Sequence, residues 1–170
     1  MRLTMAKLRA NAQGYGRGVN TMPVTIEFRH TIQAPVTTVW EVLSDQQAYP
    51  EWNPFVVHSE SSLVVGEPIV MRVKVLPFFA QPQTEFIWEH EPQQLLSYGI
   101  KGDALGALKS YRSHRLAPSA DGGTEYHSFF QLSGWFAPVV GLLLARQLRR
   151  GFREMSQAIA DRAEQLARPA

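Results

Sequence analysis

Apolar and polar residues alternate with a period of two through much of the chain, which is the pattern of half-buried β-strands. The clearest case is residues 68–76, where four apolar side chains share one face and Arg72 and Lys74 share the other. Runs of this kind are separated by segments that contain Pro or Gly. They predict seven strands, at residues 24–32, 55–62, 68–76, 84–90, 94–100, 109–117 and 124–132. The segment 77–82 contains two prolines and is expected to be a loop.

Helical spacing of apolar residues replaces the alternation in three places. Residues 35–44 predict a short amphipathic helix, and Asp45 is expected to start a second helical piece that ends near Pro50, before a turn at 51–54. From about residue 136 to 167, apolar residues recur every three or four positions and predict one long helix. Within it, Gly151 is expected to mark a bend or a close approach to the sheet. No helix separates the later strands, so the pattern predicts an antiparallel sheet and an α+β fold.

Composition narrows the classes of protein. The chain has 170 residues, of which 45% are hydrophobic and 19% charged, enough for a sizeable core in one domain. It has no cysteine, which excludes disulfide scaffolds, cysteine zinc sites and thiol catalysis. This composition fits a reducing compartment, and a cytoplasmic location is predicted.

Charge is unevenly distributed. Residues 1–22 carry four basic residues and no acidic residue, whereas the rest of the chain has a net charge of −2. We expect a flexible basic extension at 1–22 and a single domain at 23–170. The nearly neutral domain argues against a nucleic-acid partner.

The most apolar stretch, residues 129–145, is interrupted by polar residues, Gly and Pro and is shorter than the ~20 residues that a membrane-spanning helix needs. A transmembrane segment is therefore not predicted. Contact with a membrane surface remains an alternative, because Trp135 and Phe136 precede apolar residues and an Arg-rich segment at 146–153.

Several short sequence motifs resemble those of the START-like helix-grip superfamily, in particular its polyketide cyclase/dehydrase (SRPBCC) branch. They are IQAP at 32–35, VWEVLSD at 39–45, YPEWNPF at 49–55, VGE at 65–67, His114 before LAP at 116–118, LSG at 132–134 and GFREM at 151–155. The resemblance implies a helix-grip fold: a curved seven-stranded antiparallel sheet wrapped around a long C-terminal helix, with two short helices after strand 1. It also implies a mostly apolar cavity. Relatives include lipid carriers, plant allergen-like binders, hormone receptors, aromatic-ring cyclases and protein-binding domains.

Matching the alternating strand faces to the helix stripe predicts which side chains line that cavity. Phe86, Trp88 and His90 are expected to share one face, as are Arg112 and His114. The predicted ligand-binding residues are Trp52, Met71, Trp88, Tyr98, Arg112, His114, Tyr126, Phe130, Val140, Leu144, Phe152 and Met155.

His114 is the one candidate for proton transfer, since histidine titrates near neutral pH. The alternative is a core histidine held by its neighbours. Similar sequences often carry an acidic residue where this chain has Phe130, and its absence weakens an acid–base mechanism. Arg112 can anchor a ligand carboxylate or lie at the cavity mouth facing solvent. Tyr98 can offer its hydroxyl to a ligand.

No nucleotide-binding, metalloprotease or nucleophile-elbow motif is present in the sequence. The five histidines show no metal-ligand spacing, so neither a metal nor a cofactor is predicted. Three functions remain open. The first is binding of a small hydrophobic ligand, such as a lipid, polyketide or aromatic metabolite. The second is an aromatase/cyclase or dehydratase acting on a bound polyketide-like chain, and the third is a protein- or membrane-surface interaction module.

Overall fold

Alternating strands build one antiparallel sheet in a computed structural model that describes residues 23–102 and 105–168. The predicted extension at 1–22 lies outside these residues. The sheet has the order β1-β7-β6-β5-β4-β3-β2, so β1 and β2 are its two edges. The seven predicted strands and the α+β class are confirmed. The strands are β1 (Val24–Ile32), β2 (Val56–Ser61), β3 (Pro68–Leu76), β4 (Phe79–Glu91), β5 (Leu95–Gly99), β6 (Lys109–Pro118) and β7 (Thr124–Ser133).

Helices occupy one side of this sheet. Two short ones, α1 (Val36–Ser44) and α2 (Tyr49–Trp52), are separated by a 3₁₀ turn at Gln46–Ala48 and join β1 to β2. The long helix α3 (Ala137–Ala167) follows β7. It contacts β1 and β7 near one edge of the sheet and β3 near the other, so the sheet must curve around it. This is the helix-grip arrangement that the sequence predicts.

The second helical piece begins as predicted but continues past Pro50. The Asp45 carboxylate accepts a hydrogen bond from the Ala48 amide at 3.2 Å and caps the 3₁₀ turn. Pro50 lies in the first turn of α2, where a missing N–H costs nothing because that amide has no helical partner. The predicted turn at 51–54 is therefore helical through Trp52.

The predicted loop at 77–82 is wrong, because β4 already begins at Phe79. Pro82 pairs with Arg72 of β3, whereas β5 pairs only with residues 86–91 of β4. Pro82 thus lies where the strand has a single neighbour, and its missing amide proton interrupts no second ladder.

A β-bulge at Trp88 overturns the prediction that Phe86, Trp88 and His90 share a face. Ile87 pairs with Tyr98, but the next pair is Glu89 with Ser97, so one extra residue shifts the alternation. His90 then pairs with Leu96 on the helix side, where its ring stacks on Trp40 at 5.5 Å.

Phe86 and Trp88 face away from the helices. The Lys101 ammonium lies 3.7 Å from the Phe86 ring centroid and the Lys109 ammonium 5.9 Å from that of Trp88. Lysine side chains therefore cover the rings of Phe86 and Trp88 through apolar and cation–π contacts. Trp88 does not face the cavity side of the sheet, contrary to the prediction from the sequence.

Candidate functional site: a hollow beneath the C-terminal helix

A small hollow of about 60 Å³ lies between the middle of α3 and the sheet. Six of the predicted residues line it, namely Met71, Tyr98, Arg112, Phe130, Phe152 and Met155. Most of the lining is apolar, and only a few polar groups interrupt it. That combination is typical of small-molecule sites.

Local sequence fixes one wall of the hollow. The buried Asn53 side chain accepts hydrogen bonds from the Phe55 amide at 3.0 Å and the Val56 amide at 2.9 Å, which shapes the turn into β2. This turn aims the Phe55 ring at α3, where it meets Phe152 edge-on at 5.0 Å. The ring lies directly against the Cα of Gly151, so the predicted close approach occurs here, to the residue that precedes β2.

Arg112 is the most polar group in the lining and is 2% exposed, so it is buried and does not lie at the mouth facing solvent. Its Nη1 donates to Ser128 Oγ at 2.8 Å and to the Phe129 carbonyl at 3.1 Å. The guanidinium carbon lies 4.7 Å from the centroid of the Phe152 ring. Its Nε and Nη2 are buried, and none of the described residues offers them a hydrogen-bond partner.

Glu85 is the second polar group of the hollow, and sequence reasoning missed it. It lies on the helix-facing side of β4, opposite Ile69, and is 4% exposed. Burial raises the pKa of Glu85 to about 7, although the hydrogen bond from Gln83 and the charge of Arg112 oppose the rise. One carboxyl oxygen contacts the Gln83 amide, and the other, Oε2, is buried without a partner.

His114 does not line the hollow. Its Nδ1 and the Tyr126 hydroxyl are 2.7 Å apart, and its Nε2 and the Tyr98 hydroxyl are 3.2 Å apart, so both ring nitrogens are engaged. Burial lowers the pKa of His114 well below its usual value, and the charge of Arg112 adds to this effect. The geometry favours a neutral core histidine between two tyrosines over a group that exchanges protons with a ligand.

The other predicted residues lie elsewhere. Trp52 packs edge-on against Tyr49 at 4.8 Å, and Trp88 lies on the far face of the sheet. Tyr126 is buried beside His114. Val140 and Leu144 are only half-buried and pack on the border of the core. None of these five borders the hollow.

The remaining lining residues are not among the predicted ligand-binding residues. The alternation of β3 and the stripe of α3 carried enough signal to find three of them, but no pattern marked Glu85 or the residues that follow Asn53. These lining residues are Phe55, Val56, Val73, Val75, Gln83, Glu85 and Leu148.

Within residues 23–102 and 105–168, no group of three or more His, Asp or Glu side chains is arranged to hold a metal ion. In the same ranges, no helix is long and apolar enough to cross a membrane.

Solved structures share this fold over most of the chain. The Zhui aromatase/cyclase from Streptomyces has a TM-score of 0.70 at 19% identity, with 86% of this chain and 97% of that chain covered. A START superfamily protein from Mycobacterium smegmatis has a TM-score of 0.66 at 15% identity, with coverage of 84% and 98%. A point mutant of norcoclaurine synthase from Thalictrum flavum, in complex with a transition-state analogue, has a TM-score of 0.66 at 17% identity, with coverage of 88% and 99%.

No curated protein matches the chain. At the identities above, the solved structures establish the fold alone. The family is shown by a sequence model described as polyketide cyclase / dehydrase and lipid transport, which matches residues 23–164. Since this match spans most of the chain and agrees with the helix-grip architecture, the protein belongs to the polyketide cyclase/dehydrase and lipid transport family.

Proposed function

We propose that this protein binds a small, mostly hydrophobic molecule in the hollow between the sheet and α3. The observation that carries the proposal is the combination of apolar walls with two buried polar side chains, Arg112 and Glu85. Both line the hollow, and both have atoms without a partner among the described residues. Buried polar groups in proteins are almost always satisfied, so a pair left open points to an outside partner. The cytoplasmic location of the protein stays a prediction.

The size of the hollow sets a condition on binding. A single water needs about 10–15 Å³ of comparable volume, so the hollow of about 60 Å³ holds only about four to six waters. A lipid or aromatic metabolite therefore requires the walls to move apart. The helix α3 offers such a movement, because no residue of it between Ala137 and Leu148 is buried. We expect this first third of α3 to swing outward when a ligand enters.

Mass measurement tests the proposal directly. Protein purified from cells is expected to carry a small molecule that native mass spectrometry detects, and its melting temperature is expected to rise with members of a lipid and aromatic library. Empty protein together with no thermal shift for any compound would contradict the proposal.

A pair of matched variants locates the binding. Val73→Phe places a larger ring in the hollow, and the ligand-induced thermal shift is expected to disappear. Val70→Phe places the same ring on the exposed opposite face of β3 and is expected to leave the shift unchanged. A shift that survives Val73→Phe as well as Val70→Phe would move the binding site elsewhere.

Contact with an anionic membrane surface is a second candidate function, and one surface favours it. The exposed stripe of α3 begins with Val139, Leu142 and Leu143 and continues with Arg146 and Arg149, all at spacings of one to four residues. Leu142 is 87% exposed and Leu143 64%. In the described part of the chain, neither Arg146 nor Arg149 forms an ion pair. Apolar side chains beside free cations suit the interface of an anionic bilayer.

Vesicle sedimentation tests this second function. The protein is expected to pellet with vesicles of phosphatidylcholine and phosphatidylserine, less so in high salt, and not with phosphatidylcholine alone. The double variant Leu142→Ser/Leu143→Ser is expected to lose pelleting, whereas Val64→Ser/Val65→Ser, at another exposed apolar pair, is expected to keep it. Equal and negligible pelleting with both kinds of vesicle would end this proposal.

A further inference from the structure

The open side of the Arg112 guanidinium has a defined shape. A guanidinium is planar, and its Nε–H and the neighbouring Nη2–H point from one edge in parallel. These are the two nitrogens that lack partners, while Nη1 on the other side is bonded to Ser128 and Phe129. The free edge therefore presents two parallel donors, which is the geometry that the two oxygens of a carboxylate accept.

The position of Arg112 is fixed before any ligand arrives. Ser128 Oγ, which receives the Nη1 bond, also lies 3.1 Å from Ser156 Oγ, and Ser156 donates to the Phe152 carbonyl at 2.8 Å. The Phe152 ring covers one face of the guanidinium. A side chain held in this way loses little conformational freedom on binding, which favours affinity.

Arg112 forms no ion pair with any residue that the structure describes. Among residues 23–102 and 105–168, no carboxylate oxygen lies within 4.0 Å of its nitrogens. Glu85 borders the same hollow, but burial raises its pKa to about 7, which disfavours its charged form, and its Oε2 has no partner among the described residues. A buried cation without an anion is costly, and an anionic group entering the hollow would offset that cost.

We infer that the ligand of this hollow is a hydrophobic carboxylic acid, whose carboxylate is bound side-on by Nε and Nη2 of Arg112 and whose apolar part contacts the walls of the hollow. The inference rests on the proposed function and names the chemical class of its ligand. The polar head fits the hollow as it stands, and the tail extends along Val73, Leu148 and Phe152, which retain 6%, 8% and 8% exposure where Met155 has none.

This inference is tested by comparing ligands that share one apolar tail and differ only in the head group. The probes are decanoate, 1-decanol and decyltrimethylammonium, with 2-naphthoate and 2-naphthol as an aromatic pair, measured by calorimetry at pH 7.5. Each carboxylate is expected to bind at least about tenfold tighter than the alcohol with the same tail, because a charge-assisted fork is stronger than a neutral hydrogen bond. The ammonium compound is expected not to bind.

Variants of two arginines on β6 provide the control. Arg112→Met removes the fork at similar volume, and the preference for carboxylate over alcohol is expected to fall to about twofold or less. Arg115→Met, on the opposite face of the same strand, is expected to retain it. Should Arg112→Met fail to fold, Arg112→Lys keeps a charge without the fork and is expected to lose most of the preference.

The outcomes separate the inference from the proposed function. If the alcohols bind as tightly as the carboxylates, or if Arg112→Met keeps the preference, the carboxylic acid class is wrong while the hollow remains a binding site. If neither tail binds with any head group and Val73→Phe changes nothing, the proposed function fails, and the inference fails with it.

Discussion

The carboxyl group of Glu85 lies among apolar residues of β3 and α3, with a single charged side chain, Arg112, at the same hollow. Burial dominates its electrostatics and raises its pKa to about 7. Since the folded-state pKa lies above the unfolded value of 4.5, the folded protein binds this proton more tightly. The proton on Glu85 therefore contributes to the free energy of unfolding fully below pH 4.5, and this contribution is lost as the pH rises to about 7. At ~1.4 kcal/mol for each pH unit, the loss totals about 3 kcal/mol.

Glu85→Gln tests this dependence, because the amide keeps the shape of the neutral acid. Denaturant unfolding is expected to give similar free energies for both proteins at pH 4.5 and a variant that is more stable by about 2–3 kcal/mol at pH 8. The exposed Glu41→Gln is expected to differ little from wild type at either pH. A constant difference between Glu85→Gln and wild type across this range would show that Glu85 does not retain its proton.

Single residues also show where sequence reasoning reaches its limit. Met71 and Phe130 could be assigned to the hollow because strict alternation in β3 and β7 fixes their faces. Glu85 could not be assigned to the hollow, because the apolar residues Phe86 and Trp88 are expected on the helix side of β4, which puts Glu85 on the opposite side. The rings lie outside because lysine side chains cover them there, a tertiary contact with no local signal.

Among the elements, α3 and the turn before β2 approach each other closely where Gly151 meets the Phe55 ring. An alanine at 151 favours the helix by up to ~1 kcal/mol, but its methyl group would overlap the ring. Overpacking of this kind costs ~1–3 kcal/mol. Phe55 is buried, its amide is bonded to Asn53 and its ring packs on Phe152, so it has little room to move. We therefore expect Gly151→Ala to lower the free energy of unfolding by about 1–2 kcal/mol.

A double-mutant cycle separates the two effects. In a Phe55→Ala background the overlap is gone, so Gly151→Ala is expected to stabilise the protein by up to about 1 kcal/mol through helix propensity alone. The measurement is urea unfolding of the four proteins. Destabilisation of the same size in both backgrounds would mean that the Phe55 ring is not what excludes a side chain at 151.

The elements themselves were largely predictable, and their exceptions have local causes. The seven strands and the long helix could be predicted from periodicity, because the sheet and the helix each bury one apolar face against the other element. The extent of β4 and its bulge at Trp88 could not be predicted in this way, since they depend on which strand pairs with each residue of β4. Pro82 looks like a loop residue in the sequence and is tolerated in a strand that has one partner at that point.

For the whole molecule, the strand order and the helix position follow from the family resemblance, whereas the volume of the hollow does not. That volume depends on how closely about a dozen side chains pack, and Arg112, Phe130 and Phe152 fill much of it. The core extends from α1 across the sheet to the second half of α3. No residue of α3 between Ala137 and Leu148 belongs to the buried core, and Leu142 and Leu143 are exposed.

This uneven packing predicts uneven stability along α3. Local opening needs little free energy where few apolar side chains are buried, so the amides of residues 138–147 are expected to exchange with solvent at least about tenfold faster than those of 152–163. Hydrogen exchange followed by mass spectrometry measures both segments in one experiment. The helix α1, with four buried residues, serves as an internal reference and is expected to be as protected as the second half of α3.

Adding decanoate extends the same experiment to the turns of α3 that precede the hollow. A bound tail beside Leu148 fixes the adjoining turns of α3, so exchange at 138–147 is expected to slow while α1 stays unchanged. Uniform protection along α3 without ligand would mean that the helix is rigid, and the hollow would then have to remain at about 60 Å³. At that size it admits a carboxylate head but no decyl tail, so uniform protection would contradict the outward movement of α3 that we propose for ligand entry.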